Sequence, residues 1–374
     1  MKIGIVCYPT FGGSGVVATE LGKALAKKGH QVHFITYSQP VRLDNFTENI
    51  FYHEVLVSDY PLFDFQPYEL VLSSRIVDVV VNEKIDLLHV HYAIPHASAA
   101  YMAQQILADR GIKLPFITTL HGTDITLVGR DPSFEPVITF AINHSNAVTA
   151  VSESLKQDTY KYFKVKRDIE TIPNFICLDD YGQATKECNR QMFAPNGEKL
   201  LVHVSNFRKV KRVEDVLRIF EKVRKVIPTK LILVGDGPER SNIEKLCREL
   251  KTCDDIISLG KVQNPNQVLA IADLFILPSE TESFGLAALE AMASHVPVIS
   301  TNTGGLSEVN INGVTGYTSN VGDVDEMAKN ANSILSDEAT LQKFKHSAYE
   351  QAKKFSIDRI LPMYEDLYAK VLKS

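Results

Sequence analysis

Residues 273–279 read DLFILPS, and residues 282–290 read ESFGLAALE. The first run is short, apolar and closed by a turn, which is typical of a buried parallel strand. The second run starts as a loop and continues as a helix that is predicted to begin near Phe284. Glu282 is then on the loop and Glu290 about two turns inside the helix, so strand, loop and helix follow one another as in a parallel α/β fold.

The start of that helix has the chemistry of an anion site. Its first-turn backbone N–H groups, from about Ser283 to Leu286, have no partner within the helix, and Gly285 has no side chain to obstruct a phosphate. Glu282 and Glu290 would flank the phosphate and bind hydroxyls on either side. This layout matches a nucleotide sugar. The alternative is a surface glutamate on a loop and a solvated glutamate on an amphipathic helix.

Strand and helix signals alternate along nearly all of the 374 residues, which predicts an α/β protein with parallel sheets. The predicted strands are 3–7, 31–37, 87–91, 116–120, 147–151, 200–205, 230–234, 256–259, 274–277 and 297–300. The polar segment from Asp179 to Glu198 is the predicted linker. We therefore expect two Rossmann-like domains, 1–175 and 176–356, facing each other across a cleft, and a last helix in 357–374 that could pack back on the first.

The composition is that of a soluble globular protein, with 45% hydrophobic and 23% charged residues. A net charge of −5 argues against nucleic-acid and polybasic membrane partners. No apolar run reaches the length of a membrane helix, and the run at the start is too short for a signal peptide. The five cysteines lack a Cys-x-x-Cys pair, which predicts reduced thiols in a cytoplasmic protein.

A glycine-rich turn follows the first predicted strand. Residues 13–18 read GSGVVA and fit the dinucleotide fingerprint G-x-G-x-x-A. An NAD-dependent enzyme would need an acid at the end of the second strand, where residues 36–39 read TYSQ. The cofactor interpretation is therefore weak, but the backbone at 12–15 remains an anion site.

Histidines lie at the ends of two predicted strands. His121 follows the strand at 116–120, where it would face a ligand, and Tyr92 follows the strand at 87–91. His89, His91 and His96 have spacings that a metal could use. Strand alternation nevertheless predicts that His89 points outward, so we do not expect zinc there.

A run of cations follows the first strand of the second half, at Arg208, Lys209, Lys211 and Arg212. Such a run is commonly a solvated face. At a strand's carboxyl end, opposite a phosphate-binding helix, it would neutralise a diphosphate leaving group.

An Asp-x-Asp pair at Asp323 and Asp325 is the kind of motif through which metal-dependent sugar transferases bind their ion. Asp323 with Glu326 also forms a capping box ahead of a helix. We predict the cap, so no metal is implied.

Taken together, these features resemble the family-4 retaining glycosyltransferases of the GT-B fold. The matching features are Glu282-x7-Glu290, Arg208 with Lys211, Gly12–Gly15, His121, and Pro297-Val298 before Gly304-Gly305. Residues 7–15 (CYPTFGGSG), 91–96 (HYAIPH) and 119–126 (TLHGTDIT) are similar to a branch of that family. Its members transfer N-acetylglucosamine from UDP-GlcNAc to L-malate and release UDP, the first step of bacillithiol biosynthesis.

The resemblance implies a role for each matching residue. The implied catalytic residues are His121, Glu282, Arg208 and Lys211. The implied donor-binding residues are Gly13, Glu290, Ser283, Phe284, Gly285, Leu286, Lys261 and Val262, and the acceptor-binding residues are Ser14, Tyr92, Thr119 and Asn206. The family usually has a longer gap between the arginine and the lysine, so Lys209 and Arg212 stay open as diphosphate ligands. The resemblance implies no metal and no cofactor.

Other functions remain open at this point. A related transferase could act on a sugar phosphate or an inositol phosphate. An NAD(P)-dependent oxidoreductase and a non-catalytic nucleotide-sugar sensor are the other classes. In residues 68–84 the acids outnumber the cations, which disfavours a lipid acceptor and a membrane partner. The sequence leaves open whether copies of the chain form a homo-oligomer.

Overall fold

The computed structural model of the chain describes residues 1–10, 12–43, 47–57, 65–181 and 189–373. It divides into two compact units. Unit 1 comprises Met1–Phe175 and Ile357–Ser374, and unit 2 comprises Ile176–Ser356. The chain therefore leaves the first unit, completes the second and returns to the first.

Strands and helices alternate through both units. The strands are β1 Lys2–Val6, β2 Gln31–Thr36, β3 Ile50–Glu54, β4 Leu87–His91, β5 Phe116–Leu120, β6 Ala147–Ala150, β7 Ile169–Thr171, β8 Lys199–Val204, β9 Thr229–Val234, β10 Ile256–Gly260, β11 Leu274–Leu277, β12 Val298–Thr301 and β13 Gly316–Ser319. The helices are α1 Gly13–Lys27, α2 Tyr68–Glu83, α3 Ser98–Ala108, α4 Glu135–His144, α5 Glu153–Tyr162, α6 Arg190–Phe193, α7 Val213–Arg224, α8 Arg240–Glu249, α9 Asn266–Leu269, α10 Leu286–Ala293, α11 Leu306–Val309, α12 Val324–Leu335, α13 Glu338–Ala352 and α14 Ile357–Lys373. Short single-turn helices occupy Ala93–Ala97, Thr123–Leu127, Val128–Arg130, Leu178–Asp180, Lys209–Lys211, Cys253–Asp255 and Lys353–Phe355.

Unit 1 is built on a parallel sheet in which the described strands follow the order β3-β2-β1-β4-β5-β6-β7. The order reverses between β1 and β4, as in a doubly wound Rossmann fold, so the carboxyl ends of these strands form the expected ligand edge. Leu87–His91 and Phe116–Leu120 are buried along their whole length. This burial on both faces is what a central parallel strand requires.

The last helix, α14, belongs to unit 1. Its Tyr364 and Tyr368 are fully buried, and Glu365 lies 3.2 Å from His30. The apolar face of α14 therefore covers part of the unit 1 core and brings Tyr368 to the sheet.

Unit 2 has a second parallel sheet, with the described strands in the order β10-β9-β8-β11-β12-β13. The order again reverses at its centre, between β8 and β11. Leu201, Leu231 and Ile276 are fully buried in the core beneath α7 and α12. The fold class predicted from the alternation, two Rossmann-like parallel α/β units, is confirmed.

The predicted strands are confirmed to within one or two residues, but three others were missed. Ile50–Glu54 is largely exposed, as an edge strand is, and its apolar run of three residues is too short to indicate a strand. Ile169–Thr171 is only 3 residues long. Gly316–Ser319, GYTS, has neither length nor continuous apolar character. Edge strands bury little surface, so their sequences carry a weak signal.

The prediction that all cysteines are reduced thiols is wrong for one pair. Cys247 and Cys253 form a disulfide, with their Cα atoms 5.2 Å apart. The chain turns back directly after α8, where Lys251 adopts a left-handed φ of 53°, and this turn brings the two residues together. Cys7 is a buried thiol whose pKa is raised by that burial to about 12. Cys188 lies outside the described residues.

Among the described helices, none combines the length and the hydropathy that crossing a lipid bilayer requires.

Candidate active site

In unit 2, Lys211 and Glu282 come together across 71 residues of sequence. The Lys211 ammonium donates to Glu282 Oε1 at 2.7 Å, and the Ser279 hydroxyl donates to the same oxygen at 2.8 Å. The two loops are also joined through their backbones, because the Glu280 N–H donates to the Val210 carbonyl at 2.8 Å. Two of the residues singled out in the sequence therefore form one partly buried ion pair at the ends of β8 and β11.

Glu282 is held in place by the loop that follows β12. The Gly305 N–H donates to the Glu282 carbonyl at 2.9 Å. Gly304 has a φ of +56°, and a Cβ atom on it would lie 2.0 Å from that same carbonyl oxygen. The glycine pair therefore permits a close backbone contact that any side chain would break.

Gly304→Ala is expected to displace the Glu282 loop. The matched control is Gly313→Ala, because Gly313 has a similar φ of +74° but nothing within 4 Å of its Cβ position. Both changes carry a backbone penalty of about 1–2 kcal/mol, and only Gly304→Ala adds the overlap. Turnover should fall roughly 100-fold in Gly304→Ala and stay near wild type in Gly313→Ala. Equal turnover in the two variants would contradict this account.

Helix α10 begins at Leu286, two residues later than predicted. Gly285 precedes it with a left-handed φ of 96°, a conformation that stops the helix from extending back to Phe284. The Phe284 ring is buried and packs edge-on against Phe355, with centroids 5.5 Å apart. The first-turn N–H groups of the helix are therefore those that follow Gly285. Phe284 contributes packing through its ring, and only its backbone is open to a ligand role.

Glu290 is the fifth residue of α10, just over one turn from its start. It is 8% exposed, and its Oε1 accepts a hydrogen bond from the Tyr181 hydroxyl at 3.2 Å. Tyr181 is a residue that the sequence analysis missed. It lies in the predicted linker, and only the folded chain brings it to the helix.

The four cations in residues 208–212 differ in their exposure and in their ion-pair partners. Arg208 and Lys209 are exposed. Arg212 is bonded through its Nε to Asp215 at 2.6 Å, so it is engaged away from Glu282. Within the described part of the chain, Lys211 is the cation of this run that pairs with Glu282.

The remaining candidates in unit 2 lie at strand ends. Asn206 is exposed after β8. Lys261 is exposed and Val262 half-buried directly after β10. Gly260, which precedes them, has a φ of 65°, and its carbonyl accepts the Gly235 N–H at 2.7 Å. Ser283 is half-buried beside Glu282.

The cap predicted at Asp323 is confirmed. Its Oδ1 accepts the Glu326 N–H at 3.1 Å, at the start of α12. Asp325 forms an ion pair with Lys222 at 2.7 Å. Both carboxylates of the Asp-x-Asp pair therefore have structural partners.

In unit 1, the ends of β4 and β5 bring His91 and His121 together. His91 Nδ1 lies 2.8 Å from His121 Nε2, and the ring centroids are 5.1 Å apart. The Tyr92 ring is also 5.1 Å from the His121 ring, and its hydroxyl donates to Ser14 Oγ at 2.8 Å. The predicted site residues His121, Tyr92 and Ser14 thus form one cluster.

Helix α1 begins at Gly13, so Gly13 and Ser14 lie in its first turn. Gly15 explains this start. A Cβ on Gly15 would lie 2.5 Å from the carbonyl oxygens of both Tyr8 and Thr10. The glycine therefore lets the first turn pack directly on the loop after β1.

Asp124 was missed as a site residue. Its carboxylate is buried and accepts N–H groups from Ala93 at 2.9 Å, Gly122 at 3.0 Å and His121 at 3.3 Å. Burial raises its pKa to about 6, against the lowering effect of those backbone hydrogen bonds. Asp124 thereby ties the loop after β5 to the one after β4. Its position three residues after a strand-end histidine was the available signal.

The prediction that His89 points outward is wrong. His89 is fully buried, with Nδ1 at 2.7 Å from the Tyr368 hydroxyl and Nε2 at 2.6 Å from the Thr119 hydroxyl. The prediction failed because helix α14 covers this face of the sheet, which strand alternation alone assigns to solvent. Thr119 is equally buried, and its hydroxyl also bonds to Thr149 at 2.7 Å.

Burial keeps these histidines neutral. It lowers the pKa of His121 and His89 to about 3 and that of His96 to about 4. The pKa of His91 is also lowered by burial and by the neighbouring histidines. His121 is therefore a hydrogen-bonding group at neutral pH and not a cation.

Unit 1 is expected to lose stability as the pH falls below 6.5. The unfolded histidines protonate there while the four buried ones of this cluster do not, so the unfolded state binds more protons. Each of these histidines lowers the free energy of unfolding by roughly 1.4 kcal/mol per pH unit as the pH falls. Asp124, whose pKa is raised in the folded state, has the opposite effect, of about the size of one histidine. For this cluster the net slope between pH 6 and 5 is then roughly 4 kcal/mol per unit. His33 is also buried in unit 1, with its pKa lowered to about 4, and adds to the slope in the same direction. Urea unfolding at pH 7 and pH 5 measures it, and equal midpoints would contradict it.

Two glycosyltransferase family models match this chain, one in each half. Residues 185–354 match the family model "Glycosyl transferases group 1", and residues 11–180 match "Glycosyltransferase Family 4". The N-acetyl-alpha-D-glucosaminyl L-malate synthase of Bacillus anthracis is 46% identical over 378 residues, covering 100% of this chain and 98% of that protein. An uncharacterised glycosyltransferase of Methanocaldococcus jannaschii is 26% identical, covering 98% of each chain.

Solved structures share the fold. Sucrose-phosphate synthase from Thermosynechococcus elongatus has a TM-score of 0.82 at 20% identity, covering 100% of this chain and 99% of the other. Anabaena HepE in complex with UDP and glucose has a TM-score of 0.82 at 18% identity, covering 99% of each chain. The fold is thus GT-B, and with family models that match both units the chain belongs to the family-4 glycosyltransferases.

Proposed function

We propose that this glycosyltransferase transfers N-acetylglucosamine from UDP-GlcNAc to the hydroxyl of L-malate, with retention at the anomeric carbon and release of UDP. The product would be GlcNAc-malate, the first intermediate of bacillithiol biosynthesis. The observation that carries the proposal is the full-length identity to the malate synthase of Bacillus anthracis. The Lys211–Glu282 pair and the His121 cluster supply the chemistry.

We assign the donor diphosphate to unit 2. Lys211 and the exposed Arg208 would balance its charge, together with the N–H groups at the start of α10. Glu282 would accept from a hydroxyl of the sugar, and Glu290 from the ribose. The backbone near Lys261 and Val262 would meet the uracil. The partners of Lys211 and Arg212 support the choice of Lys211, because Arg212 is engaged with Asp215.

We propose that the reaction proceeds on one face of the sugar. The malate hydroxyl oxygen bonds to the anomeric carbon as the bond to the phosphate oxygen breaks, and the hydroxyl proton passes to that phosphate oxygen. Negative charge grows on the departing diphosphate. Lys211, prepositioned by the Glu282 carboxylate that Ser279 also holds, would stabilise it without reorganisation.

We assign a sugar contact to His121, which would act as a neutral imidazole, and assign Gly13, Ser14 and Tyr92 to the region where donor and acceptor meet. Malate is a dianion, so the N–H groups at the start of α1 are suitable partners. Asn206 is exposed and available to the acceptor. The Thr119 hydroxyl is buried against His89 and Thr149, so we propose that it supports His89 and does not touch malate.

We propose a metal-independent reaction in the cytoplasm. The structural partners of Asp323 and Asp325 support the first part, because the Asp-x-Asp carboxylates already serve as a cap and an ion-pair partner. The substrates support the second, since UDP-sugars and malate are cytoplasmic metabolites.

The proposal is tested by product analysis with an acceptor panel. The chain is incubated with UDP-GlcNAc and, in turn, L-malate, an inositol phosphate and a sugar phosphate, and glycosides are detected by mass spectrometry. We expect a product with malate only. Proton NMR of that product should show an α-linkage, as in the donor. A product with one of the phosphates and none with malate would overturn the assigned acceptor.

A further inference from the structure

The two nitrogens of His121 are not equivalent. His121 Nε2 forms a hydrogen bond with His91 Nδ1 at 2.8 Å. The other nitrogen of His121, Nδ1, is therefore the one that can bind a ligand. Both rings are neutral at pH 7, so a single proton lies between the two nitrogens. Whichever ring donates that proton determines whether His121 offers a ligand an N–H donor or a lone pair.

The surroundings of His91 decide between these arrangements. Its Nε2 is buried and, within the described part of the chain, has no hydrogen-bond partner. If His121 donated, His91 would carry its proton on Nε2, as a buried N–H with no acceptor. If His91 donates, the same position holds only an unused lone pair. Buried N–H donors without a hydrogen-bond partner are rarer in proteins than buried acceptors without one. The arrangement in which His91 donates is therefore favoured.

His96 shows that this cluster accommodates an unused imidazole lone pair. Its Nδ1 bonds to the His91 carbonyl, which can only accept, so the proton of His96 lies on Nδ1. Its Nε2 is also buried with no partner among the described residues. Two neighbouring histidines then share one arrangement, with the proton on Nδ1 and a bare Nε2.

We propose that His91 is a positioning residue that donates from Nδ1 to His121 Nε2 and thereby holds the proton of His121 on Nδ1, facing the substrate. This inference rests on the proposed contact between His121 and the donor sugar. His121 then offers a hydrogen-bond donor to an oxygen of the substrate. In the other tautomer a lone pair would face the substrate, so His121 could accept from a sugar hydroxyl but could not donate to a substrate oxygen.

The proton position is measured directly by nitrogen NMR. The chain is labelled with ¹⁵N-histidine, and His121 is assigned from the signals missing in His121→Gln. Two-bond proton–nitrogen correlations should show His121 with the proton on Nδ1. This readout needs no substrate. A spectrum with the proton of His121 on Nε2 overturns the proposal whatever the activity is.

Kinetics test the positioning role. His91→Asn keeps an amide N–H near the place of Nδ1, while His91→Leu removes it. We expect His91→Leu to lower kcat about 10–100-fold, the usual effect of losing a residue that orients a reacting group, with the KM for malate unchanged. His91→Asn should recover most of that loss.

The matched control is His33→Leu. His33 Nδ1 lies 2.9 Å from His53 Nε2 and their rings are stacked, so this pair has the same geometry elsewhere in unit 1. His33→Leu should leave kcat near wild type. Equal losses in His91→Asn and His91→Leu, or in His33→Leu, would overturn the positioning role. Wild-type protein with the expected NMR tautomer but no malate product would instead overturn the proposed function and leave the tautomer assignment standing.

Discussion

Lys211→Ala is expected to lower kcat/KM for the donor by about 10²–10³, the loss seen when one preorganised charge-stabilising group is removed. The Lys211 side chain is 22% exposed and its ammonium is fixed at 2.7 Å from Glu282 Oε1, so it is oriented before the substrate arrives. Alanine removes the charge that would face the leaving diphosphate. It also releases the Glu282 carboxylate, which keeps only the Ser279 hydroxyl of these two partners.

Lys209→Ala is the matched control for that variant. Lys209 lies in the same helical turn but is exposed, and removing its charge changes the net charge of the chain equally. UDP release at a range of donor concentrations should be within about twofold of wild type, as for most surface substitutions. A large loss in Lys209→Ala with little effect in Lys211→Ala would show that the wrong cation has been assigned to the diphosphate.

Glu290→Ala is expected to weaken UDP binding about 10–100-fold. A hydrogen bond to a charged group contributes about 1.5–3 kcal/mol, and Glu290 is 8% exposed, so water competes little for its carboxylate. Because UDP carries the ribose but no sugar or acceptor, calorimetric titration with UDP isolates this contact from catalysis. Tyr181→Phe, which removes the hydroxyl that bonds to Glu290, should weaken binding by a smaller factor.

Glu280→Ala serves as the control for Glu290→Ala. Glu280 is exposed on the loop before Glu282, and the variant keeps the Glu280 N–H that donates to Val210. UDP affinity should be unchanged. If Glu290→Ala and Glu280→Ala bind UDP equally well, and both as well as wild type, the ribose contact lies elsewhere.

The core strands, and the position of the cations at 208–212 opposite the helix that follows Glu282, could be predicted from the sequence for a physical reason. Central strands of a parallel sheet are buried on both faces, so they read as short apolar runs, and their carboxyl ends meet at one edge. Polar residues that follow such runs must therefore lie near each other. By this rule the cations at 208–212 lie at the same sheet edge as Glu282, and His121 at the same edge as Tyr92, although these residues are distant in sequence.

The rest depends on tertiary contacts that local patterns do not encode. Strand alternation predicts that His89 faces solvent, because it does not reveal that α14, from the far end of the chain, covers it. Helix α10 starts later than predicted because Gly285 adopts a left-handed φ, which the surrounding apolar sequence does not indicate. Tyr181 and Asp124 act through partners distant in sequence or through loop backbone.

The most direct test of the central claim is UDP release from UDP-GlcNAc by the wild-type chain, measured with and without L-malate in the presence of EDTA. We predict release that depends on malate and persists with the chelator, together with loss of that release in Lys211→Ala. No malate-dependent release would contradict the proposed acceptor. Release that EDTA abolishes would contradict the metal-independent mechanism.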